Sequence, residues 1–476
     1  MDTMKKASRS TFRYRLKDMV VFLKNEILSG AYQPGEYLPS EKVLVEQFDL
    51  SNKSVRQGLD MLVSEGLIVK VNRVGSMVTE QAGKRALVTI TLGCSPSIER
   101  DIILSQLLDD FHGQYPEIQV KTITVKSVTV TSTDYMSPVK EFLENNMIDV
   151  FTQNSIHFQE LAEKGLTHML EPIEPEEGIY PFLQDWFCKE GVCYAKPIIF
   201  TPIVLAYNRS HFMEEGVPEP DGGWTWDDAI RHAAKLSKPG ERFGLYFYLM
   251  SEHRWPAFLL QGATVLDGGK GYTGLVESGM LDSIRLCKSI IRNRDIFPHY
   301  LSEGSYDVDE LFLQGKVSMI LTNYMTMNDL KYSSLDYDIS PMPHMGELRS
   351  LISSIGVSIN KNSEQKEAAK LLVDYLASPR AQNMIRNQTL SIPSIKAVAE
   401  SRLEVPDSIN RPSRYFLFRE IPASFRSHTA LGMSIRTFNA FRQILKKYWS
   451  DIIDEGAMVH LVDELLSSGL QSEMED

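Results

Sequence analysis

Hydrophobic residues between Leu38 and Val78 change their spacing once, from a helical period to a strand period. Val55, Leu59 and Leu62 fall at i, i+4 and i+7, which places them on one face of a helix. A shorter helix before it has an apolar face formed by Leu44, Val45 and Phe48. The pattern therefore predicts two short helices, separated by a turn at Asp49-Leu50 and followed by a pair of strands.

Serine and glycine mark the ends of these elements. Ser40 and Ser51 are suited to cap the amino ends of the two helices, and Gly66 is suited to end the second. After Gly66, residues 67–71 and 76–79 can pair as strands across the turn Asn72-Arg73-Val74-Gly75. This order of elements predicts a winged helix-turn-helix.

The polar face of the second helix carries side chains that could contact DNA. Near the helix start, the donors long enough to reach a phosphate or a base edge in a major groove are Asn52, Lys53, Arg56 and Gln57. Arg73 would lie at the tip of the wing, where it could enter the neighbouring groove. The alternative is that these residues form only the solvated face of a small helical domain.

Residues 13–80 resemble the amino-terminal domain of the GntR family of bacterial transcription regulators. The resemblance rests on Gly30-Ala-Tyr-Gln-Pro-Gly, Leu38-Pro-Ser-Glu and Ser51-x-x-Ser-Val-Arg56. It implies DNA contacts from the residue after Pro-Ser-Glu, from the start of the recognition helix and from the wing. The residues at those positions are Lys42, Ser51, Asn52, Lys53, Ser54, Arg56 and Arg73. Two positions depart from the family pattern: Asn52 replaces the usual arginine, and Asn72-Arg73-Val74-Gly75 replaces the usual Gly-x-Gly wing.

Net charge separates this segment from the rest of the chain. Residues 1–80 hold 12 Lys and Arg against 10 Asp and Glu, a net charge of +2, whereas the whole chain of 476 residues carries −12. The remaining residues therefore carry −14. This asymmetry favours nucleic-acid contact through the first segment alone.

Several absences indicate where the protein works. The amino-terminal residues are basic but lead into an amphipathic helix rather than an apolar stretch, so we expect no signal peptide. No run of about 18 apolar residues occurs, so we expect no transmembrane helix and no membrane partner. The four cysteines, Cys94, Cys188, Cys193 and Cys287, show no C-x-x-C spacing, which favours reduced thiols. We therefore expect a cytoplasmic protein.

After residue 86, apolar strand-like runs alternate with amphipathic helices, which predicts an α/β domain with parallel strands. The expected elements are a strand at 88–92, a helix at 99–115, a strand at 119–130, a helix at 138–145 and a strand beginning at Asp149. The polar segment 79–85 between the wing and the first of these strands is suited to be a linker.

The order of motifs in residues 86–469 resembles the extracellular solute-binding proteins of sugar ABC transporters. The motifs are Ile148-Asp-Val-Phe with Leu161-Ala-Glu-Lys-Gly-Leu, Ala195-Lys-Pro-Ile-Ile-Phe with Ala206-Tyr-Asn, Trp224-Thr-Trp-Asp, Trp255-Pro with Gly262-Ala-Thr-Val-Leu-Asp, Leu313-Gln-Gly-Lys-Val-Ser-Met, Pro341-Met-Pro with Ile355-Gly-Val-Ser-Ile, and Ala368-Ala-Lys-Leu-Leu-Val-Asp-Tyr-Leu. The two resemblances together imply an α/β fold class: an N-terminal winged helix-turn-helix at 1–80, a linker at 81–85, and a two-lobed periplasmic-binding-protein-like (type II) α/β domain at 86–476.

A sugar presents hydroxyls around its rim and apolar C–H faces, so its pocket needs aromatic plates and short hydrogen-bonding groups. By position in the family pattern, the resemblance implies Trp255, Tyr324 and Phe200 as the plates and Asn154, Thr201 and Asn323 as the hydrogen-bonding groups. For each aromatic residue the alternative is packing in the core. Trp224 and Trp226 are assigned to the core, because Thr225 is suited to cap a helix that begins at Trp226.

Motifs for catalysis or cofactor binding find little support. Gly269-Lys-Gly271-Tyr-Thr-Gly274 spells G-x-G-x-x-G, but no acidic residue ends a second strand about twenty residues later, and a turn between a strand and a helix explains the glycines better. The histidines lack metal-binding spacing, and no nucleophile motif occurs. We therefore expect no enzyme activity, no cofactor and no metal. A sugar-processing enzyme stays an alternative, because a catalytic pair of carboxylates cannot be recognised from sequence alone.

The leading hypothesis is a cytoplasmic transcription regulator, in which a winged helix binds operator DNA and a fused sensor binds a sugar or oligosaccharide between two lobes. Since a single winged helix offers only a small interface, we expect a homodimer on a palindromic operator. The alternative is a binding protein that delivers a sugar to an ABC permease. Such a protein needs a signal peptide or a lipidated cysteine near its start.

Overall fold

The computed structural model describes residues 9–28, 30–80, 82, 88–125, 136–262, 271–300, 302–401 and 408–473. These residues form two compact units. The first takes in the described residues up to Thr91 together with Ser105–Thr122 and Glu367–Leu372, and the second takes in the remainder. Ser105–Thr122 and Glu367–Leu372 belong to the expected sensor but lie in the first unit. The division between the two units therefore differs from the linker expected at 81–85. The domain bounds stay a prediction.

The first unit begins with a winged helix-turn-helix. Its elements are α1 (Arg9–Leu28), α2 (Glu41–Phe48), α3 (Asn52–Ser64), β1 (Ile68–Val71) and β2 (Gly75–Val78). Both expected caps are present, since Ser40 Oγ accepts from the backbone N–H of Val43 and Ser51 Oγ from that of Ser54. β1 and β2 pair antiparallel with Val71 opposite Gly75, as the hairpin pattern predicts.

The winged helix has its own apolar core, in which Leu23, Leu44, Leu59 and Leu62 are at most 2% exposed. Close approach of α1 and α3 depends on Gly58: a Cβ at this position would lie 2.3 Å from Met19 Cε, so any other residue would displace that side chain. Glycine in a helix interior costs stability relative to alanine, and here the packing distance explains it.

Helices and strands then follow one another through the rest of the chain. The helices are α4 (Ile98–Ile102), α5 (Leu104–Gln114), α6 (Met136–Glu144), α7 (Ser155–Glu163), α8 (Pro181–Asp185), α9 (Arg209–Glu214), α10 (Trp226–Leu236), α11 (Arg254–Gly262), α12 (Gly271–Glu277), α13 (Met280–Arg292), α14 (Ser305–Leu313), α15 (Lys366–Leu376), α16 (Pro379–Gln388), α17 (Lys396–Ala399), α18 (Ile435–Trp449) and α19 (Glu455–Glu473). The strands are β3 (Val88–Cys94), β4 (Ile118–Thr124), β5 (Val150–Asn154), β6 (Cys188–Lys189), β7 (Val192–Cys193), β8 (Lys196–Asn208), β9 (Phe243–Tyr246), β10 (Val317–Asn323), β11 (Tyr337–Pro341), β12 (Ser350–Ile359), β13 (Ile392–Pro393) and β14 (Phe425–Arg426).

The second unit is organised around β8, which is buried along its whole length. Residues 196–202 of β8 pair antiparallel with β12, and residues 203–208 pair with β10 and β11. β12 also pairs antiparallel with β5. The expectation of parallel strands is therefore right for β3 with β5 and for β9 with β10, but wrong for β8 and β12. β8 is largely apolar because it is buried along its whole length, and such a run does not reveal strand direction.

Three local expectations need correction. The helix expected at 99–115 is broken at Ile103, which has a φ of 53° and separates α4 from α5. Gly271 and Gly274 lie inside α12 rather than in a turn, and Gly269 lies outside the described residues. The strand expected at 119–130 ends at Thr124, and its part after residue 125 also lies outside them.

The expectation of four reduced thiols is also corrected. Cys188 and Cys193 form a disulfide, because β6 and β7 pair antiparallel with these two residues opposite each other. Their five-residue separation gave no indication of a hairpin. Cys94 and Cys287 are buried free thiols.

Candidate functional site

The start of α3 presents a polar surface. Lys42 on α2 and Asn52 and Lys53 on α3 are exposed, whereas Ser54 is buried beneath them. Ser51 precedes the helix, and its Oγ lies 2.6 Å from Ser54 Oγ. These two serines therefore fix the helix start, while the exposed residues are placed to reach DNA.

Arg56 lies one turn further along α3 and is paired within the winged helix. Its Nε donates to Glu41 Oε2 at 2.8 Å, and its side chain remains 64% exposed. An exposed ion pair of this kind contributes little stability, so the guanidinium can exchange its carboxylate for a phosphate or a base edge at small cost.

Arg73 occupies the tip of the wing, as the sequence predicts. It is exposed and has a φ of 63°, so the backbone turns sharply between β1 and β2. The side chain therefore projects from the hairpin end. The structure brings the exposed DNA candidates onto one small domain, and their contact with DNA stays a prediction.

A second candidate site lies within the second unit, where several strands end. A cavity of about 370 Å³ is lined by residues from the ends of β5 and β10, from the segment after β3 and from β12. The lining residues are Ser95, Pro96, Ser97, Arg100, Asp101, Val125, Thr152, Gln153, Asn154, His157, His253, Ser305, Asn323, Met325, Thr326, Ser353 and Ile355. Ligands of α/β proteins bind at the carboxyl ends of strands, and this cavity has that position.

Two of the six expected ligand contacts lie on this cavity. Asn154 Oδ1 caps α7 by accepting from the backbone N–H of His157 at 2.8 Å, and Asn323 Oδ1 accepts from that of Thr326 at 2.9 Å. Within the described residues, the Nδ2 group of each asparagine has no protein partner. Both side chains are thus held at one oxygen and offer a donor to a ligand.

The other four expected contacts lie in the packed core. Trp255 is 0% exposed, and its ring centroid lies 4.3 Å from that of Phe438 on α18. Tyr324 is also 0% exposed and donates its hydroxyl to the carbonyl of Tyr415 at 2.9 Å. Neither residue belongs to the cavity lining, and whether a sugar contacts them stays a prediction.

Phe200 and Thr201 have internal partners as well. Phe200 is 1% exposed and makes edge contacts with four aromatic rings: those of Tyr180, Phe182, Phe418 and Phe425. Thr201 Oγ1 accepts from the backbone N–H of Tyr324 at 2.8 Å, which ties β8 to the end of β10. These aromatic rings contact residues far away in sequence, which the family pattern alone could not reveal.

The expected structural role of Trp224 and Trp226 is confirmed. Thr225 and Asp228 form a complete capping box at the start of α10, and both tryptophans are buried. The ring of Trp226 stacks on that of Phe258 with centroids 4.8 Å apart.

The guanidinium at the cavity is paired with carboxylates of the protein. Arg100 donates from Nε to Asp101 and from Nη1 to Asp329, each at 2.8 Å. Burial acts to lower the pKa of the Arg100 guanidinium, but the two carboxylates outweigh it and raise that pKa above its usual range. Arg100 is therefore a charged group whose charge is already satisfied by protein.

Histidines contribute neutral rings. Burial lowers the pKa of His157 to about 3, with a further contribution from His428. The pKa of His253 is also well below its usual value, again mainly because of burial. Both rings line the cavity as neutral donors and acceptors at pH 7.

Several lining residues were missed by the sequence analysis, among them Arg100, Gln153 and His253. Ser95 and Ser97 directly follow β3, so a rule that selects polar residues after each strand would have found them. His253 has no such sequence indication, because its place on the cavity depends on how α11 packs.

Comparison with known proteins assigns both parts of the chain. Residues 96–383 match the profile described as bacterial extracellular solute-binding protein. The chain belongs to that family. Residues 19–78 match the profile of bacterial regulatory proteins of the GntR family, so a GntR-type winged helix-turn-helix precedes the solute-binding domain.

Individual relatives resemble one part or the other. A putative binding protein of Brucella abortus is 28% identical over 237 residues, which cover 46% of this chain and 55% of the relative. This chain thus spans about half the length of that curated relative. The histidine utilization repressor of Pseudomonas aeruginosa is 40% identical over 73 residues, which are 15% of this chain and 28% of the repressor.

Solved structures confirm the fold of the solute-binding domain. An ABC substrate-binding protein of Listeria monocytogenes in complex with cycloalternan superposes with a TM-score of 0.67 at 16% identity, covering 81% of this chain and 99% of that one. The two-lobed type II fold class is therefore confirmed. Among the described residues, every helix is too short or too polar to cross a bilayer.

Proposed function

We propose that this protein is a ligand-responsive, DNA-binding transcription regulator whose solute-binding domain takes a sugar and thereby changes operator affinity. The observation that carries the proposal is the presence, on one chain, of an exposed cationic recognition helix and a polar cavity at the strand ends of a solute-binding fold. A protein that only delivers sugars to a permease has no use for the first of these features. DNA contact would place the protein in the cytoplasm.

Several features of the winged helix support DNA contact. Its recognition helix is capped by Ser51, and Lys42, Lys53 and Arg73 are all exposed. Helices of this kind lie in the major groove with their first residues at the bases. Two winged helices related by a two-fold axis would double the contacts, so the operator is expected to be palindromic and its complex to hold two chains.

The test has two parts. First, selection of bound fragments from random duplex DNA should enrich a palindrome, and sedimentation on that duplex should show two chains per site. Second, titration with neutral sugars should change operator affinity by the equivalent of about 1–3 kcal/mol, which is typical of allosteric coupling. A ligand can shift the equilibrium only by its differential affinity for the two states.

A negative result would be clear in each part. If the selection enriches no sequence and the protein binds DNA only weakly and not at all in salt, sequence-specific recognition is refuted. Specific DNA binding that no sugar alters would leave a regulator without the proposed effector class.

A further inference from the structure

The second unit contains another cavity, distinct from the one at the strand ends. Its volume is about 400 Å³, which is within the range of small-molecule sites, and the two linings have no residue in common. Its walls are residues 246–250 at and after the end of β9, the end of α13 with the residues that follow it, and the end of α18. A ligand here would contact different side chains from a ligand at the strand ends.

The charge of this lining is positive. Arginines line the cavity, and the lining residues that the structure describes include no acidic one. Arg292 pairs with Asp451, and Lys288 Nζ lies 2.8 Å from the same carboxylate. Arg294 is exposed and has no ion-pair or hydrogen-bond partner in the described part of the chain. The adjacent carboxylate is therefore already shared by two cations, and one guanidinium at the cavity is free to bind an anion.

The apolar part of the lining includes side chains that a ligand can reach. Tyr300 is 47% exposed, and Tyr248 and Met250 are half-buried. The rings of Tyr246 and Phe297 are buried in the wall, with centroids 5.0 Å apart. Because aromatic rings stack on one another or meet edge to face, an exposed tyrosine beside a free guanidinium suits a flat ring that carries a negative charge.

We infer that this cavity binds an aromatic monocarboxylate, whose carboxylate pairs with Arg294 and whose ring packs against Tyr300. A planar guanidinium matches a carboxylate through two parallel hydrogen bonds. One free guanidinium offsets one negative charge, which favours a carboxylate over a phosphate monoester with its charge of nearly two. The inference goes beyond the proposed function, since it adds a second ligand and does not depend on DNA binding.

The test is calorimetry on the full chain, without DNA. The ligands are benzoate, phenylacetate and cinnamate, the neutral amide of each, phenyl phosphate, and octanoate as a carboxylate without a ring. We expect at least one aromatic carboxylate to bind with a Kd of about 1 mM or below, and at least ten-fold more tightly than its amide, phenyl phosphate and octanoate. If none of the three binds at about 10 mM, or a comparison ligand binds as tightly, the inference is wrong.

The role of the guanidinium is tested with Arg294→Gln, which removes the charge from an exposed side chain and should weaken binding at least ten-fold. Arg294→Lys keeps the charge but lacks the planar fork, so its affinity should be intermediate. Arg436→Gln is the matched control, because Arg436 is an exposed arginine on α18 outside the lining. It should change affinity less than three-fold. Equal affinities in Arg294→Gln and Arg436→Gln would show that the anion binds elsewhere.

The role of the ring is tested with Tyr300→Leu, which keeps an apolar side chain but removes the aromatic face. The backbone carbonyl of Tyr300 accepts from the hydroxyl of Tyr246 at 3.3 Å, and the substitution leaves this carbonyl in place. The preference for the aromatic carboxylate over octanoate should therefore fall while the melting temperature is retained. Tyr332→Leu is the control, since Tyr332 is 73% exposed and outside the lining. An unchanged preference in Tyr300→Leu would refute the assigned packing.

Discussion

Lys24 Nζ lies 3.3 Å from Glu117 Oε1, so an ion pair joins the first helix of the winged helix to the turn that precedes β4. Both side chains are less than 20% exposed. Lys24 also lies 3.2 Å from Glu65 Oε2, at the end of α3. One lysine therefore ties the recognition helix to a segment expected to belong to the sensor, and both contacts lie within the first unit.

Glu117→Gln should loosen this attachment. The partly buried pair is expected to contribute about 1 kcal/mol, and its loss should increase amide hydrogen exchange in α1 and around residue 117. If the contact transmits the ligand signal, the change in operator affinity on adding ligand should also shrink. Glu65→Gln is the control, since it breaks only the contact inside the winged helix. If the ligand changes operator affinity equally in the two variants, the contact of Lys24 with Glu117 does not transmit the ligand signal.

Arg56→Ala should weaken operator binding, because Arg56 projects from the exposed face of α3. If the guanidinium contacts a phosphate, the slope of the logarithm of the binding constant against the logarithm of the salt concentration should fall in magnitude by about one. If it reads a base, about 1–3 kcal/mol of discrimination between the operator and other sequences should disappear. Glu41→Gln should act in the opposite direction, since it removes the carboxylate that competes for Arg56. Fluorescence anisotropy on labelled operator measures both effects. Arg231→Ala, on α10 of the second unit, should leave binding unchanged.

Trp255→Ala should cost roughly 3–5 kcal/mol of stability, as expected for removing a large buried aromatic side chain. The cost arises because the ring packs against Phe438 and a cavity would remain. Thermal and denaturant unfolding measure it, with Trp255→Phe as the milder comparison. A variant that keeps its stability but no longer binds sugar would show instead that Trp255 is a ligand contact.

Stability should fall as the pH decreases from about 6.5 to about 4. Burial lowers the pKa of His428 to about 4, despite an opposing hydrogen bond to the carbonyl of Glu252. Below pH 6.5 the unfolded chain therefore binds a proton that the folded chain does not, which amounts to roughly 3 kcal/mol for this residue by pH 4. His157 and His253 act in the same direction.

His428→Gln isolates this contribution when melting temperature is measured against pH. Its melting curve should fall less steeply between pH 6.5 and 4 than that of the parent. Glu252 opposes the histidines, because burial raises the pKa of its carboxyl, but it is unchanged in the comparison. Parallel pH curves would show that His428 titrates normally.

Reducing the Cys188–Cys193 disulfide should destabilise the protein by no more than roughly 2 kcal/mol. The bond closes a loop of only a few residues, and the paired strands β6 and β7 already hold its ends together. Unfolding with and without dithiothreitol measures the difference. The double substitution Cys188→Ser and Cys193→Ser should abolish the response to dithiothreitol, and a larger loss in the parent would mean that the hairpin depends on the bond.

Local sequence chemistry was a reliable guide wherever a structure depends on near neighbours. The caps at Ser40, Ser51 and Thr225 each depend on a backbone N–H three residues later, and all three form as expected. The hairpin with Arg73 at its tip is equally local. A cap or a short turn is satisfied within its own segment, so distant parts of the chain rarely change it.

The sequence by itself thus determined the winged helix, the α/β class of the second part and the alternation of strands and helices at its start. Only the tertiary structure decided which side chains line the cavity. Trp255 and Asn154 both fit a sugar site by type and position, yet Phe438 from a late helix covers the tryptophan while Asn154 remains at a strand end. Gln153 lies at the cavity, and its amide nitrogen is held by Ser358 on β12, 205 residues later. Exposure depends on contacts between residues far apart in the chain, and no local pattern records them.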